Sequence, residues 1–164
     1  MGKEINRIRL NRLYSENNIF EEITFHDGVN IILGEKYDDR SVKGRKTNGV
    51  GKSMSIEFLD FCFLNDYEKS RIVKIPKEVF PVEENVILDL DIGQETVTIK
   101  RNRKQADKPI LIREGKTVSF DKIQDARDYL TGIIFSKLNG KKVPSFRNLF
   151  SILMRDERSE FTDI

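Results

Sequence analysis

The sequence predicts a mixed α/β fold that includes an antiparallel β subdomain. Three observations support this expectation. An apolar run at 29–33 is followed, after a glycine-containing stretch, by an apolar helical segment over 53–64. Segments between 86 and 120 alternate apolar and polar residues and are separated by short turns, which is typical of antiparallel strands. Helical spacing returns after residue 121.

The composition is that of one ordinary folded domain. Of the 164 residues, 38% are hydrophobic and 34% charged, and the net charge is only +2. Any contact with nucleic acid therefore has to come from local patches. The single cysteine, Cys62, excludes an internal disulfide and suits a reducing compartment. Because there is no signal peptide and no apolar run of about 18 residues, we expect a soluble cytoplasmic protein with no membrane partner.

The first third predicts strands, a turn and a buried helix. Residues 7–10 and 23–26 alternate, and Asp27-Gly28 is a hairpin-type turn signal. The run Val29–Leu33 is nearly all apolar, which predicts a strand buried on both faces that ends at Gly34. The segment Ser53–Leu64 is apolar nearly all round, so we expect a helix packed against a large surface. Its narrow polar stripe consists of Ser53, Glu57 and Asp60.

The rest of the chain predicts two hairpins and two helices. The paired segments are 86–92 with 95–102 and 110–113 with 117–120. One helical stripe consists of Ile123, Ala126, Leu130, Ile133 and Ile134, and the other of Phe146, Leu149, Phe150, Leu153 and Met154.

A glycine-rich motif lies between the apolar run and the first helix. The strict P-loop pattern G-x-x-x-x-G-K-[ST] fails, since its first position would be Lys46. If the 12 residues Lys36–Thr47 are left out, Gly34-Glu35 joins Asn48-Gly49-Val50-Gly51-Lys52-Ser53 in a full match. We therefore predict an interrupted P-loop, the phosphate-binding motif of a P-loop NTPase. The alternative is a glycine-rich loop that only caps the helix.

The motif suits the binding of ATP and Mg²⁺. Gly49 and Gly51 let the backbone approach phosphate oxygens without a Cβ in the way. Successive N–H groups and the positive end of the helix dipole attract the anion. Lys52 supplies a charge to the β- and γ-phosphates, and the hydroxyl of Ser53 is the predicted Mg²⁺ ligand. The predicted nucleotide site consists of Gly34, Asn48, Gly49, Val50, Gly51, Lys52 and Ser53.

The run Phe25–Glu35, the motif and the helix end Phe58–Phe63 resemble the N-terminal part of SMC/RecN/RecF-like ABC ATPases. Within that branch they look most like bacterial coiled-coil ATPases, some of them associated with mobile elements or phage defence. The resemblance implies that 1–164 form one ABC/SMC-head-like N-terminal lobe. In it, 1–64 hold the P-loop, 65–120 the antiparallel sheet and 121–164 helices.

The resemblance also implies partners. In such heads, a C-terminal lobe brings the signature motif and the acidic pair for hydrolysis, and this chain contains neither. Turnover would then need that missing lobe and a second head in a homodimer, with DNA as a possible partner. The family places a polar or basic residue near the adenine or α-phosphate, for which Arg12 is the best candidate.

Two family features do not match. Leu88-Asp89-Leu90-Asp91 resembles a Walker B strand, but the alternation places both acids on the solvent face of a half-buried strand. No glutamine follows Gln124 to form the family's glutamine loop. The residues near its expected place are Arg147, Asn148, Arg155 and Asp156.

Weaker signals leave other functions open. The insertion Lys36–Thr47 is basic and is either a solvated loop, a lid or a nucleic-acid contact. A second basic cluster, expected to be an exposed turn or a contact with duplex phosphates, consists of Lys100, Arg101, Arg103, Lys104 and Lys108. His26 has no partner at metal-ligand spacing, and Cys62 is expected to pack in the core. The alternative functions are a small self-contained P-loop kinase and a non-catalytic interaction module.

Overall fold

The computed structural model describes residues 6–32, 52–136 and 145–153. These residues form a six-stranded sheet in which every neighbouring pair is antiparallel, in the order β2-β1-β3-β4-β5-β6. The strands are β1 Ile8–Ser15, β2 Ile23–Thr24, β3 Val86–Ile92, β4 Glu95–Arg101, β5 Ile110–Arg113 and β6 Lys116–Ser119. The α-helices are α1 Lys52–Cys62, α2 Ile123–Ile134 and α3 Phe146–Leu153. Short 3₁₀ helices cover Tyr67–Lys69 and Arg71–Lys74.

One face of the sheet carries the core and the other is polar. Leu88 and Leu90 of β3 are fully buried, whereas Asp89 between them lies on the opposite, outer face. The register of β1 against β3 shifts between Leu10 and Arg12. This bulge places apolar residues of β1 on the core face on either side of it.

Helix α1 packs on the core face of the sheet. Phe58, Phe61 and Cys62 are buried, and Phe58 forms an aromatic group with two phenylalanines from loops. The Phe58 ring stacks on Phe20 at 4.8 Å between centroids and meets Phe80 at 5.0 Å. Such ring pairs add about 0.5–1.5 kcal/mol to the stabilisation from burial alone. The prediction of a helix packed against a large surface is confirmed.

The predicted hairpins and later helices are also confirmed. The β5–β6 turn uses Glu114 and Gly115, both at positive φ, and Gly93 in the β3–β4 turn has a φ of 67°. The rejection of a Walker B strand agrees with the outer-face position of Asp89. The chain thus has a mixed α/β fold.

The prediction of a doubly buried strand over Val29–Leu33 is wrong for the residues that the structure describes. Residues 29–32 belong to no strand, and Val29 and Ile31 are 89% and 75% exposed. The two-residue strand β2 ends at Thr24. An apolar run is buried on both faces only where neighbouring strands and covering elements exist. The apolar pattern alone does not supply such neighbours, and the described part of the chain does not provide them.

Within 6–32, 52–136 and 145–153, none of the helices has both the length and the apolar character needed to cross a lipid bilayer.

Candidate functional site

Two residues of the predicted phosphate site, Lys52 and Ser53, lie at the start of α1. Lys52 is the first residue of this helix and Ser53, which is half-buried, is the second. The first turn contains no acidic residue, so no carboxylate of its own neutralises the positive end of the helix dipole. The other predicted residues, Gly34 and 48–51, lie outside the described residues. The local charge therefore fits an anion, and the loop itself stays a prediction.

Arg12 lies away from this helix. Its Nε donates to Asp89 Oδ2 at 2.6 Å, and its Nη1 is 3.5 Å from Glu22. The guanidinium also lies over the Tyr14 ring, 4.5 Å from the centroid. Since Asp89 is on the outer face, Arg12 is on the face opposite α1. The structure thus does not bring Arg12 together with Ser53, and its role toward nucleotide stays a prediction.

A groove of about 620 Å³ lies beside α1. One wall is the start of β1 and the segment 25–32, and the other is formed by Ile56, Leu59 and Phe150. Most lining residues are apolar, with Arg7, Arg9 and Asp27 among the polar ones. The exposed Val29 and Ile31 belong to the same wall. This groove is thus continuous with the segment that leads into the predicted P-loop.

The turn at the edge of the groove is held by an asparagine. Asn30 Oδ1 accepts from the His26 N–H at 2.8 Å, and Asn30 Nδ2 donates to the His26 carbonyl at 2.9 Å. Gly28, inside this loop, has a φ of 88°, which glycine adopts without strain. The predicted turn at Asp27-Gly28 is confirmed, although residues 29–32 form no second strand of a hairpin.

The other end of α1 is closed by an unusual cap. The Leu64 N–H donates to the Phe61 carbonyl and the Asn65 N–H to the Asp60 carbonyl, which is the Schellman pattern. Leu64 occupies the left-handed position, with a φ of 62°. Glycine usually takes this position because a left-handed residue with a Cβ costs roughly 1–2 kcal/mol. The side chain of Leu64 is fully buried, so its burial offsets this strain.

Three arginines from three elements surround this cap, and we call them the arginine collar: Arg101 of β4, Arg127 of α2 and Arg147 of α3. Arg101 Nη1 donates to the carbonyls of Phe61 at 2.6 Å and Asn65 at 2.7 Å. Arg101 thus adds a second donor to the Phe61 carbonyl and supplies one to the Asn65 carbonyl, just past the end of the helix.

The other two collar residues complete the set. Arg127 donates to the Leu64 carbonyl from Nε at 3.0 Å and from Nη2 at 2.7 Å. Arg147 Nη1 donates to the Phe63 carbonyl at 3.1 Å. Positive charge at this end also matches the helix dipole.

The collar is only partly neutralised by acids. Arg147 pairs with Asp60 at 2.7 Å and Arg127 with Asp66 at 2.6 Å. Arg101 is 1% exposed, and its recorded partners are carbonyls together with the Phe61 ring, 4.1 Å from its Cζ. Burial lowers the pKa of Arg101 to about 10. Its charge is thus held in the core by backbone oxygens.

The pair between Arg127 and Asp66 makes stability depend on pH. Hydrogen bonds from Lys69 and then Arg127 lower the pKa of Asp66 to about 2. A lowered folded-state pKa contributes stability above the unfolded pKa, about 3.9, which is lost as the pH falls through the folded value. At pH 7, we expect the free energy of unfolding measured in urea to be higher for wild type than for Asp66→Asn by up to about 1 kcal/mol. This gap should close between about pH 4 and pH 2.

A matched control for this experiment is Asp121→Asn, since Asp121 is 91% exposed and pairs only with Lys108 among the recorded contacts. The control should follow wild type throughout. A gap for Asp66→Asn that stays constant down to pH 2 would contradict the assignment.

The second basic cluster is not the surface feature that the sequence predicts. Arg101 and Arg103 are buried, and Arg103 donates to the carbonyls of Ile72, Ile75 and Phe80. The three lysines pair with acids: Lys100 with Glu16, Lys104 with Glu83 and Lys108 with Asp121. Both expectations, an exposed turn and a phosphate-binding patch, are therefore wrong for the two arginines, because both side chains are buried and donate to carbonyls inside the protein.

Two further candidate residues, Cys62 and Arg147, have contacts that indicate a structural role. Cys62 is fully buried and burial raises the pKa of its thiol, so packing is its observed role. Arg147, a candidate for the glutamine-loop position, belongs to the collar. Arg155 and Asp156 lie outside the described residues. Among the described residues, no group of three His, Cys, Asp or Glu side chains could hold a metal ion.

Comparisons with known proteins give one weak likeness. The uncharacterised protein YydD of Bacillus subtilis (strain 168) is 29% identical over 155 residues, which cover 89% of this chain and 25% of YydD. The chain thus spans about a quarter of the length of this curated relative. No family model matches the chain. No solved structure matches it either.

Proposed function

We propose that this chain is the ATP·Mg²⁺-binding N-terminal half of an ABC-type ATPase head of the SMC/RecN-like branch. The observation that carries the proposal is the motif Gly49-Val50-Gly51-Lys52-Ser53 at the start of α1. The helix begins at Lys52, and its first turn has no acid to repel phosphate. Lys52 would contact the β- and γ-phosphates and Ser53 would ligate Mg²⁺.

The antiparallel sheet favours this proposal over a self-contained kinase. Small P-loop kinases continue with parallel strands joined by helices. All pairings recorded among the described strands are antiparallel. The described part of the chain therefore matches the antiparallel subdomain expected of an ABC-type head better than the parallel core of a kinase.

The groove beside α1 favours the proposal that a second lobe binds this chain. Val29 and Ile31 expose large β-branched side chains beside an apolar groove of about 620 Å³. Exposed apolar surface of this kind marks an interaction site. In the relative YydD, the matched segment accompanies much further polypeptide. We infer that a C-terminal lobe covers this groove and that hydrolysis needs this lobe and a second head.

The described basic residues give little support for DNA binding. The lysines of the second cluster are paired with acids and its arginines are buried. A DNA contact would have to use other positions, such as the basic insertion Lys36–Thr47. ATP binding is thus the better supported part of the proposal.

A melting experiment with a turnover assay tests the proposal. With Mg·ATP at about 100 times its Kd, binding adds roughly 2.7 kcal/mol. For a chain of this size we expect the Tm to rise by about 5–10 °C relative to Mg²⁺ alone. Phosphate release by the same sample should stay at background, because the proposed site lacks the acidic pair.

The other functions predict different results. A self-contained kinase would raise its Tm and also transfer phosphate to an acceptor. A non-catalytic interaction module would show no change of Tm with Mg·ATP at any concentration. Either result would overturn the proposal.

A further inference from the structure

We propose that Arg147 is a positioning residue for the nucleotide site: it ties helix α3 to the C-terminal end of α1 and thereby sets where Lys52 and Ser53 lie. The inference rests on the proposed function, since it assigns a role to a residue at the far end of the helix that begins the phosphate site. Nucleotide contacts are not part of the assignment.

The contacts of Arg147 join two elements at a defined point. Its Nη1 donates to Asp60 Oδ1 at 2.7 Å and to the Phe63 carbonyl at 3.1 Å. The guanidinium therefore contacts both a side chain and the backbone at the same helix end. One turn further along α3, Phe150 stacks on Phe63 with 3.6 Å between centroids. An ion pair and a ring stack thus fix the position of α3 relative to α1.

Because α1 is a rigid helix, a change at its C-terminal end displaces its N-terminal end. The helix has 11 residues and is therefore about 16 Å long. A tilt of about 5° about its C-terminal end moves its first residue by more than about 1 Å, and displacements of that size cost about 100-fold in catalytic sites. The buried Arg101 holds the same end from β4. Arg127 and Arg147 reach it from the helices that follow the sheet.

The helix α3 also connects the collar to the groove. Phe150 lines the groove beside Ile56 and Leu59 while it stacks on Phe63. A lobe bound in the groove therefore touches the helix that carries Arg147. Arg147 is 19% exposed and Asp60 20% exposed, so the pair is accessible enough to rearrange without unfolding the core.

The test measures nucleotide affinity and folding stability separately. The variant Arg147→Gln should weaken the Kd for Mg·ATP at least about fivefold, measured by titration well below its Tm, where the protein is folded. Arg147→Lys, which keeps the pair with Asp60, should lie between this variant and wild type. Amide exchange at 56–58 of α1 should be faster in Arg147→Gln.

The matched control is Arg113→Gln, which removes an arginine from its pair with Glu95 between β5 and β4. It should leave the Kd and the exchange at 56–58 unchanged. If Arg147→Gln fails to fold, Asp60→Asn removes the same pair from the α1 side and is measured instead.

Three outcomes decide the matter. A lower Tm with an unchanged Kd would overturn the inference, because it describes a merely structural residue. A weaker Kd in Arg147→Gln and not in Arg113→Gln supports it. If wild type itself binds no Mg·ATP, the proposed function fails and the exchange data alone decide: unchanged exchange at 56–58 then overturns the positioning role.

Discussion

Lys52→Ala is expected to remove most of the Mg·ATP-dependent stabilisation while leaving the unliganded protein unchanged. The ammonium group of a P-loop lysine supplies charge to the β- and γ-phosphates. A hydrogen bond to a charged group contributes about 1.5–3 kcal/mol, so we expect the Kd to rise by at least about tenfold. With ATP at about ten times the wild-type Kd, wild type gains about 1.4 kcal/mol and the variant at most about 0.4 kcal/mol.

The control for this experiment is Lys69→Ala. Lys69 pairs with Asp66 on an exposed 3₁₀ turn, so the change alters the net charge equally without touching the predicted site. Its Mg·ATP titration should match that of wild type. Equal titrations of Lys52→Ala and wild type would mean that the nucleotide, if bound, is bound elsewhere.

The hairpins and helices could be predicted because each carries its own periodicity. The alternation in 86–92 faces Leu88 to the core and Asp89 to the outside, as the sequence predicts. The apolar character of 53–64 predicts a buried helix, and α1 packs with Phe58 and Phe61 inside. Such local patterns are decided by residues two to four positions apart. They therefore need no knowledge of the rest of the fold.

The two errors concern partners that periodicity does not encode. The apolar run that includes Val29 and Ile31 predicts burial, yet burial depends on a covering surface that the described residues lack. Arginine is normally a surface residue, so a basic cluster predicts a surface patch. Arg101 nevertheless continues the core-facing alternation of Val97 and Ile99, and this signal could have revealed its burial. Its carbonyl partners are up to 40 positions away, which no local pattern reveals.

The candidate site was predictable only at one end. The motif around Lys52 and Ser53 indicates phosphate binding from residue types alone. The arginine collar at the other end of α1 has no sequence motif, because its members lie on β4, α2 and α3. It became recognisable only through the hydrogen bonds to the carbonyls of 61, 63, 64 and 65.

Arg101→Met is expected to destabilise the protein more than any other single change considered for the collar. Methionine fills similar space without charge, so it relieves the cost of burying a guanidinium. The lowered pKa of Arg101, about 10 against an ordinary 12.5, puts that cost at roughly 3 kcal/mol. Against this, the variant loses hydrogen bonds from a charged donor to the carbonyls of Phe61, Asn65 and Ala106. At about 1.5–3 kcal/mol each, these bonds exceed the relief.

The expected loss of stability in Arg101→Met also depends on the strained cap after α1. Leu64 keeps its left-handed φ only while the surrounding contacts hold it there. The variant leaves the Asn65 carbonyl without the donor that Arg101 supplies, whereas the Phe61 carbonyl keeps its bond from the Leu64 N–H. From the lost bonds less the relief of burial, we expect Arg101→Met to lower the free energy of unfolding by about 2–6 kcal/mol in urea denaturation.

The matched variant is Arg113→Met, which removes an arginine of similar size from its half-exposed pair with Glu95. Pairs with this exposure contribute about 0–1 kcal/mol, so its unfolding midpoint should stay close to wild type. Equal losses in both variants would show that the collar carries no special stabilisation. A stable, fully folded Arg101→Met would mean that relieving the buried charge outweighs the bonds it makes, and the helix cap would then be held by the buried side chain of Leu64 alone.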